Sequence, residues 1–321
     1  MNKLSLEQAF NAYFHDKYSF NNFCNLDIKS NYTEIFYSKN TYSPSPELKK
    51  YQQFLNVFIF DFMEVNTKVV FSYRKGVSIY DAVFPHRNSK YILSTDVKSF
   101  FLHIHSTDIK RLILKNKDNF LISKTEIEKN IDLLVDLVSY DDILPIGAPT
   151  SPKISNAYLL DLDNQLEKYC IKENIIYTRY SDDFIFSASS EKILSDLPQT
   201  INELFISLNL ELNQKKTKLQ KKGSKINILG LIITPSGHIT VDKAIKKNIE
   251  VLLHYYLTDK DKYRDFLLKT YPKKSNKSTE LDRVSGTLSQ IKSVDNSFIT
   301  KLKKKYGSYI VNSFIDREIN E

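Results

Sequence analysis

The sequence has no tryptophan, two cysteines, seven glycines and nine prolines in 321 residues. Cys24 and Cys170 stand far apart, which excludes a disulfide framework and a cysteine metal cluster and suits a reducing cytoplasm. No run of eighteen apolar residues occurs, and Met1–Glu7 lacks an apolar signal region. Neither a membrane span nor a signal peptide is therefore expected. Repeats and low-complexity tracts are absent too. What remains is an ordinary globular composition, 41% hydrophobic and 26% charged. Its 20 tyrosines and 20 phenylalanines offer faces for core packing or base stacking.

The net charge of +8 is unevenly spread. Residues 1–213 hold 23 basic and 27 acidic residues, whereas residues 214–321 hold 23 and 11. A basic last third on a near-neutral body is what a polyanion-binding lobe would look like. A lysine-rich composition that only keeps the surface soluble accounts for the lysine count, not for the asymmetry.

The stretch richest in chemistry is Tyr177–Ser187. Aromatic and β-branched residues flank Ser181-Asp182-Asp183, which predicts two strands around a tight turn. Adjacent carboxylates at a hairpin tip repel each other. A divalent cation would give the pair a purpose, because Mg²⁺ is held by one or two carboxylates plus substrate phosphates. A solvated Asp-Asp turn is the plain alternative. Tyr91–Val97 reads as a buried strand with Asp96 at its exposed end. If the two strands are neighbours, three carboxylates meet, as in a two-metal site for phosphoryl transfer. Between them, Leu144–Pro152 gathers four of the sixteen glycines and prolines in the chain. It reads as a rigid loop feeding a helix, with Ser151 as N-cap and Pro152 at N1, and such a helix start suits a phosphate.

The remaining elements follow from periodicity. Helices are expected from Glu47, over Lys124–Val138, from Ser151 to about Tyr169, and over Glu191–Leu208. Residues 39–46, with Pro44 and Pro46, read as loop. Leu210–Thr217 reads as a strand with a basic turn, and Ile226–Ile233 as one apolar strand. Basic helices follow from Val241, with a break over 271–279. Phe71–Gly76 is a basic-aromatic turn suited to phosphate, with an ordinary surface loop as the plain alternative.

The order of these motifs resembles the reverse transcriptases, in particular the bacterial retron-type and defence-associated group, over roughly residues 35–310. The resemblance implies an α+β right-hand polymerase fold. Fingers would cover 1–90, a palm with finger insertions 91–238, and a helical basic thumb 239–321. In Asp96-Val97-Lys98-Ser99-Phe100-Phe101 it implies Asp96 as a metal ligand, Val97 as a further metal and nucleotide contact, and Phe101 as the steric gate that favours dNTPs. Tyr180-Ser181-Asp182-Asp183 resembles the Tyr-x-Asp-Asp hairpin, with Asp182 as second ligand and Asp183 supporting it. Gly147 and Pro149, in a loop-helix motif with Asn156, would lie beside the incoming nucleotide. Lys216 would neutralise or protonate the leaving pyrophosphate, and Lys39 and Arg74 would meet the triphosphate. Ile228–Leu231 resembles the primer-grip hairpin, and Val284–Ile291 the thumb helix. Ile146 stands where the family usually carries Gln, and Lys39 is nearest to a usual Arg. Ala82–His86 keeps only the His of the retron Asn-Ala-x-x-His. These departures fit a defence-associated enzyme, with unusual or untemplated synthesis, better than an ordinary retron enzyme.

The implied cofactors are two Mg²⁺ ions, with Mn²⁺ as a substitute. The implied partners are dNTPs, an RNA template, a nucleic-acid primer, a dedicated non-coding RNA, and a companion effector or second reverse transcriptase. No membrane is implied. The setting would be the bacterial cytoplasm and the role antiphage defence. Two alternatives stay open: a non-catalytic nucleic-acid-binding module that retains the fold, and a template-independent DNA polymerase of the same group.

Overall fold

The computed structural model describes residues 3–35, 41–206, 208–272 and 279–317. Its strands are β1 (Tyr32–Glu34), β2 (Tyr42–Pro44), β3 (Tyr91–Asp96), β4 (Ile176–Tyr180), β5 (Asp183–Ala188), β6 (Lys218–Lys221), β7 (Ile226–Ile228), β8 (Leu231–Ile233) and β9 (Ile239–Val241). The chain divides into two compact units, Met1–Ala82 with Tyr91–Leu219 and Val83–Lys90 with Gln220–Glu321. Among the described residues no helix is long and apolar enough to cross a membrane.

The first unit is built on the antiparallel run β4-β5-β3. Phe184, Ile185 and Phe186 of the middle strand are fully buried, as a short continuous apolar run requires. Tyr177 stacks on its cross-strand partner Phe186 at 4.9 Å. The helix Glu191–Ile206 buries Leu194, Leu197, Ile201 and Phe205, and the Phe205 ring lies 5.4 Å from Phe184. Towards the N-terminus, Phe10 sits 4.6–5.8 Å from the rings of Phe14, Phe20, Phe23, Tyr51 and Phe54. Helix Pro46–Phe58 starts where Ser45 accepts from Leu48 N and Pro46 takes the first turn.

Five local expectations are corrected. Asp96 is buried, not exposed, because the strand end is covered by the turn that follows Leu212. Residues 42–44 form β2 despite Pro44, which stands at the strand end where its missing N–H costs least. The helix expected over Lys124–Val138 breaks at Asn130, whose amide donates to Glu126 O at 2.8 Å. The helix from Ser151 has Thr150, not Ser151, at the N-cap position, with no side-chain capping bond, and it is interrupted at Leu159, then runs on as Leu160–Lys172. Leu210–Leu212 contributes only an isolated bridge, Val97 to Leu212.

In the second unit Ile226–Ile233 is a hairpin, as the resemblance at Ile228–Leu231 implies, rather than the one strand its apolar run suggests. Leu229 and Gly230 both have positive φ, 52° and 78°, the signature of a two-residue turn between antiparallel strands. β9 completes the order β7-β8-β9. Gly237 is required there, because its φ is +82° and a Cβ would lie 2.9 Å from Asn88 Oδ1. The helices Lys243–Thr258, Lys260–Thr270, Glu280–Val294, Asn296–Tyr306 and Ser308–Asp316 follow. Val284, Leu288 and Ile291 are buried as their spacing predicts. The break expected over 271–279 falls mostly outside the described residues.

Candidate active site

Strand register brings the acidic residues together. Asp96, the last residue of β3, pairs with Asp183, the first of β5. Asp183 also pairs with Tyr180 of β4, so Ser181 and Asp182 form a two-residue hairpin turn. Ser181 adopts φ 59°, the left-handed conformation such turns demand.

The electrostatics are unbalanced. Asp96 is only 3% exposed. Its Oδ2 accepts from Lys216 Nζ, while Oδ1 is buried with no partner. The carboxyl of Asp183 is pushed up to about 6 by burial first and then by the charges of Asp182 and Asp96, with Lys216 pulling the other way. The ammonium of Lys216 is raised, chiefly by its hydrogen bond to Asp96 and in smaller part by Asp182 and Asp183. These four side chains therefore form one interacting cluster.

Backbone stitching places Lys216. Lys98 N donates to Glu211 O, and Asn213 N to Asp96 O, both at 2.9 Å. Thr217 Oγ1 donates to Asn213 O at 3.0 Å and lies 2.7 Å from Thr95 Oγ1. The basic turn is thus sewn to the end of β3, with the mostly exposed Lys216 side chain reaching back to a buried carboxylate.

The other expected site residues have their own anchors. Val97 is buried and bridges Leu212. Phe101 is half-buried in the short 3₁₀ turn Phe100–His103, with its ring 5.4 Å from Phe100. Tyr42 N donates to Ile146 O at 2.8 Å, and a Cβ on Gly147 would stand 2.3 Å from Tyr42 O. Pro149 O accepts from Asn56 Nδ2 at 2.9 Å, and Ser151 Oγ donates to Pro145 O rather than capping the helix. Arg74 turns back on its own loop, donating to Thr67 O and Val70 O. Lys39 lies outside the described residues.

Sequence reasoning missed a set of polar residues around the hairpin turn. Arg179 and Asp163 form a fully buried ion pair, and the Tyr73 hydroxyl lies 2.9 Å from Ser181 Oγ. One signal was available: an arginine inside an otherwise aromatic and β-branched strand must find a partner if it points inward.

Among the described residues, no group of three or more His, Cys, Asp or Glu side chains has the arrangement of a ready-made metal cage. Mg²⁺ does not need one, since it completes its shell with water and substrate phosphates. A buried carboxylate oxygen without a partner, beside two mutually repelling carboxylates, fits a cation bound in that way.

An antiparallel sheet ending in paired carboxylates, within a mixed α+β chain, belongs to the right-hand polymerase class of folds. More narrowly, the chain belongs to the reverse transcriptase (RNA-dependent DNA polymerase) family, whose model matches residues 39–233. It is 28% identical over 281 residues to the retron Ec86 reverse transcriptase of Escherichia coli, covering 85% of this chain and 79% of that one. It is 30% identical over 280 residues to the retron Ec73 reverse transcriptase of the same organism, covering 84% and 83%. Among solved structures, apo telomerase from Candida tropicalis is similar with a TM-score of 0.48 and 14% identity, over 80% of this chain. The chain spans about half of that telomerase chain, 49%.

Proposed function

We propose that this reverse transcriptase builds DNA from dNTPs on an RNA template with Asp96 and Asp182 as ligands of two Mg²⁺ ions, Mn²⁺ being a substitute. The unpartnered, buried Oδ1 of Asp96 carries the reading. When bound, the ions would supply Lewis acidity and charge neutralisation at the transferring phosphoryl group. Asp183 supports the pair, and Val97 contributes beside Asp96. Lys216, held protonated, has a proton and a positive charge to offer the leaving pyrophosphate. Gly147 and Pro149 flank the incoming base, and Phe101 packs under the sugar. Arg74 would meet the triphosphate by exchanging its present carbonyl partners for phosphate oxygens, and Lys39 would add charge. In this reading residues 1–90 act as fingers, 91–238 as palm and 239–321 as thumb.

The biological role we propose is antiphage defence in the bacterial cytoplasm, with a dedicated non-coding RNA and a companion effector or second reverse transcriptase. The similarity to retron enzymes supports it. The test is to supply each labelled dNTP or NTP with Mg²⁺ to the purified protein and its co-purifying nucleic acid. Asp182→Asn is expected to lower dNTP incorporation about a thousandfold, the effect of losing several kcal/mol of transition-state stabilisation. Retained incorporation would remove the metal assignment. Equal phage resistance in cells carrying the intact locus or Asp182→Asn would remove the proposed role.

A further inference from the structure

The turn that carries Asp182 is held from two sides. On the buried side, every N–H of Arg179 has a partner. Nε donates to Asp163 Oδ1 at 2.8 Å, and Nη2 to Asp163 Oδ2 at 2.6 Å and Asn156 O at 3.4 Å. Nη1 donates to Asn156 Oδ1 at 3.1 Å and to Ser181 O at 2.8 Å. Tyr177 OH donates to Asp163 Oδ1 at 2.7 Å, which fixes the carboxylate that orients the guanidinium. On the open side, the Tyr73 hydroxyl meets Ser181 Oγ at 2.9 Å. Tyr73 (φ 55°) and Ser181 (φ 59°) are both left-handed without being glycine. Such backbone persists only where its surroundings over-determine it. A buried ion pair is a poor device for stability alone, since well-packed apolar residues often serve as well or better.

We infer that Arg179, oriented by Asp163, and Tyr73 are positioning residues that clamp Ser181 and so set the direction of the Asp182 carboxylate. This rests on the reading of Asp182 as a metal ligand. Groups that orient metal ligands typically change metal affinity or activity 10–100-fold when removed.

The test uses the full chain as wild type, Arg179→Lys, Tyr73→Phe and Asp182→Asn. Mn²⁺ binding is followed by electron paramagnetic resonance without nucleotide, and the Mg²⁺ requirement by dNTP incorporation. Arg179→Lys is expected to weaken Mn²⁺ binding and raise the half-maximal Mg²⁺ concentration about 10-fold, and Tyr73→Phe about 3-fold, with KM for dNTP at saturating Mg²⁺ unchanged. Tyr73→Phe removes one hydroxyl from a partly exposed side chain and decides the matter if Arg179→Lys fails to fold. Wild-type Mn²⁺ binding and Mg²⁺ requirement in Tyr73→Phe and any folded Arg179→Lys, with both lost in Asp182→Asn, would overturn the clamp alone. Wild-type behaviour of Asp182→Asn would overturn the metal reading, and the clamp with it.

Discussion

Asp183 shows how the site opposes the stability of its own fold. Burial and the neighbouring charges of Asp182 and Asp96 hold its carboxyl up at about 6. At neutral pH it is ionised against that cost, so the metal-free protein carries strain that a cation would relieve. Asp183→Asn removes the charge and keeps the shape. After discounting for its partial exposure, the variant is expected to gain about 1 kcal/mol at pH 7 in chelator, measured by denaturant unfolding. It is expected to lose activity by less than Asp182→Asn does. No gain would mean that the three carboxylates do not repel as their placement implies. Gly147 makes the opposite case. With φ +110° and Tyr42 O 2.3 Å from any added Cβ, Gly147→Ala should cost about 2–3 kcal/mol or move the loop off β2. Either result would be read as a lower unfolding midpoint or a raised KM for dNTP. The carboxylates were legible in the sequence because side-chain type and strand pattern suffice to name them. Arg179 was not, since its role depends on Asp163, sixteen residues earlier on a helix, and only packing reveals that they meet.

At the scale of elements, one residue organises the second unit. Asp295 caps the helix Asn296–Tyr306 through Phe298 N. Its Oδ2 also accepts from Thr240 of β9 at 2.8 Å and from Lys246 of helix Lys243–Thr258 at 2.6 Å. Burial would raise its pKa, but the hydrogen bonds from Lys246, Ser297, Thr240 and Phe298 N together outweigh it and hold the group well below the usual carboxylate range. A carboxyl depressed by folding contributes stability above its unfolded pKa and loses it as pH falls towards the folded value. Asp295→Asn should therefore cost about 2 kcal/mol at pH 7, with the gap to wild type narrowing as pH drops below about 4. Unfolding curves from pH 7 to pH 2 would check this, and a gap independent of pH would refute it. Helix existence was readable from apolar spacing in most cases, but breaks were not. Asn130 and Leu229-Gly230 sit inside continuous apolar patterns. Their turns are set by side-chain hydrogen bonding and by positive φ, and neither leaves a mark on hydrophobic periodicity.

For the whole molecule the decisive quantity is the distribution of charge. Residues 214–321 carry 23 basic against 11 acidic side chains, and the rest of the chain is slightly acidic. That asymmetry was visible in the sequence, yet which lysines face solvent was not. The structure leaves Lys292, Lys301 and Lys304 exposed on the helices Glu280–Val294 and Asn296–Tyr306. If these helices follow a nucleic-acid backbone, each lysine that neutralises a phosphate releases counterions on binding. Changing the three to glutamine should weaken binding to an RNA–DNA duplex uniformly across sequences. It should also lower the slope of log affinity against log salt by about one per lysine. The chemical step is a separate matter, because the carboxylates and Lys216 belong to the other unit. Incorporation at low salt and saturating duplex should stay near wild type. Fluorescence anisotropy over a salt series distinguishes the cases. A reduced slope with intact low-salt turnover marks these helices as a backbone grip. An unchanged slope means that the positive charge of this region serves solubility, and that the nucleic acid is held elsewhere.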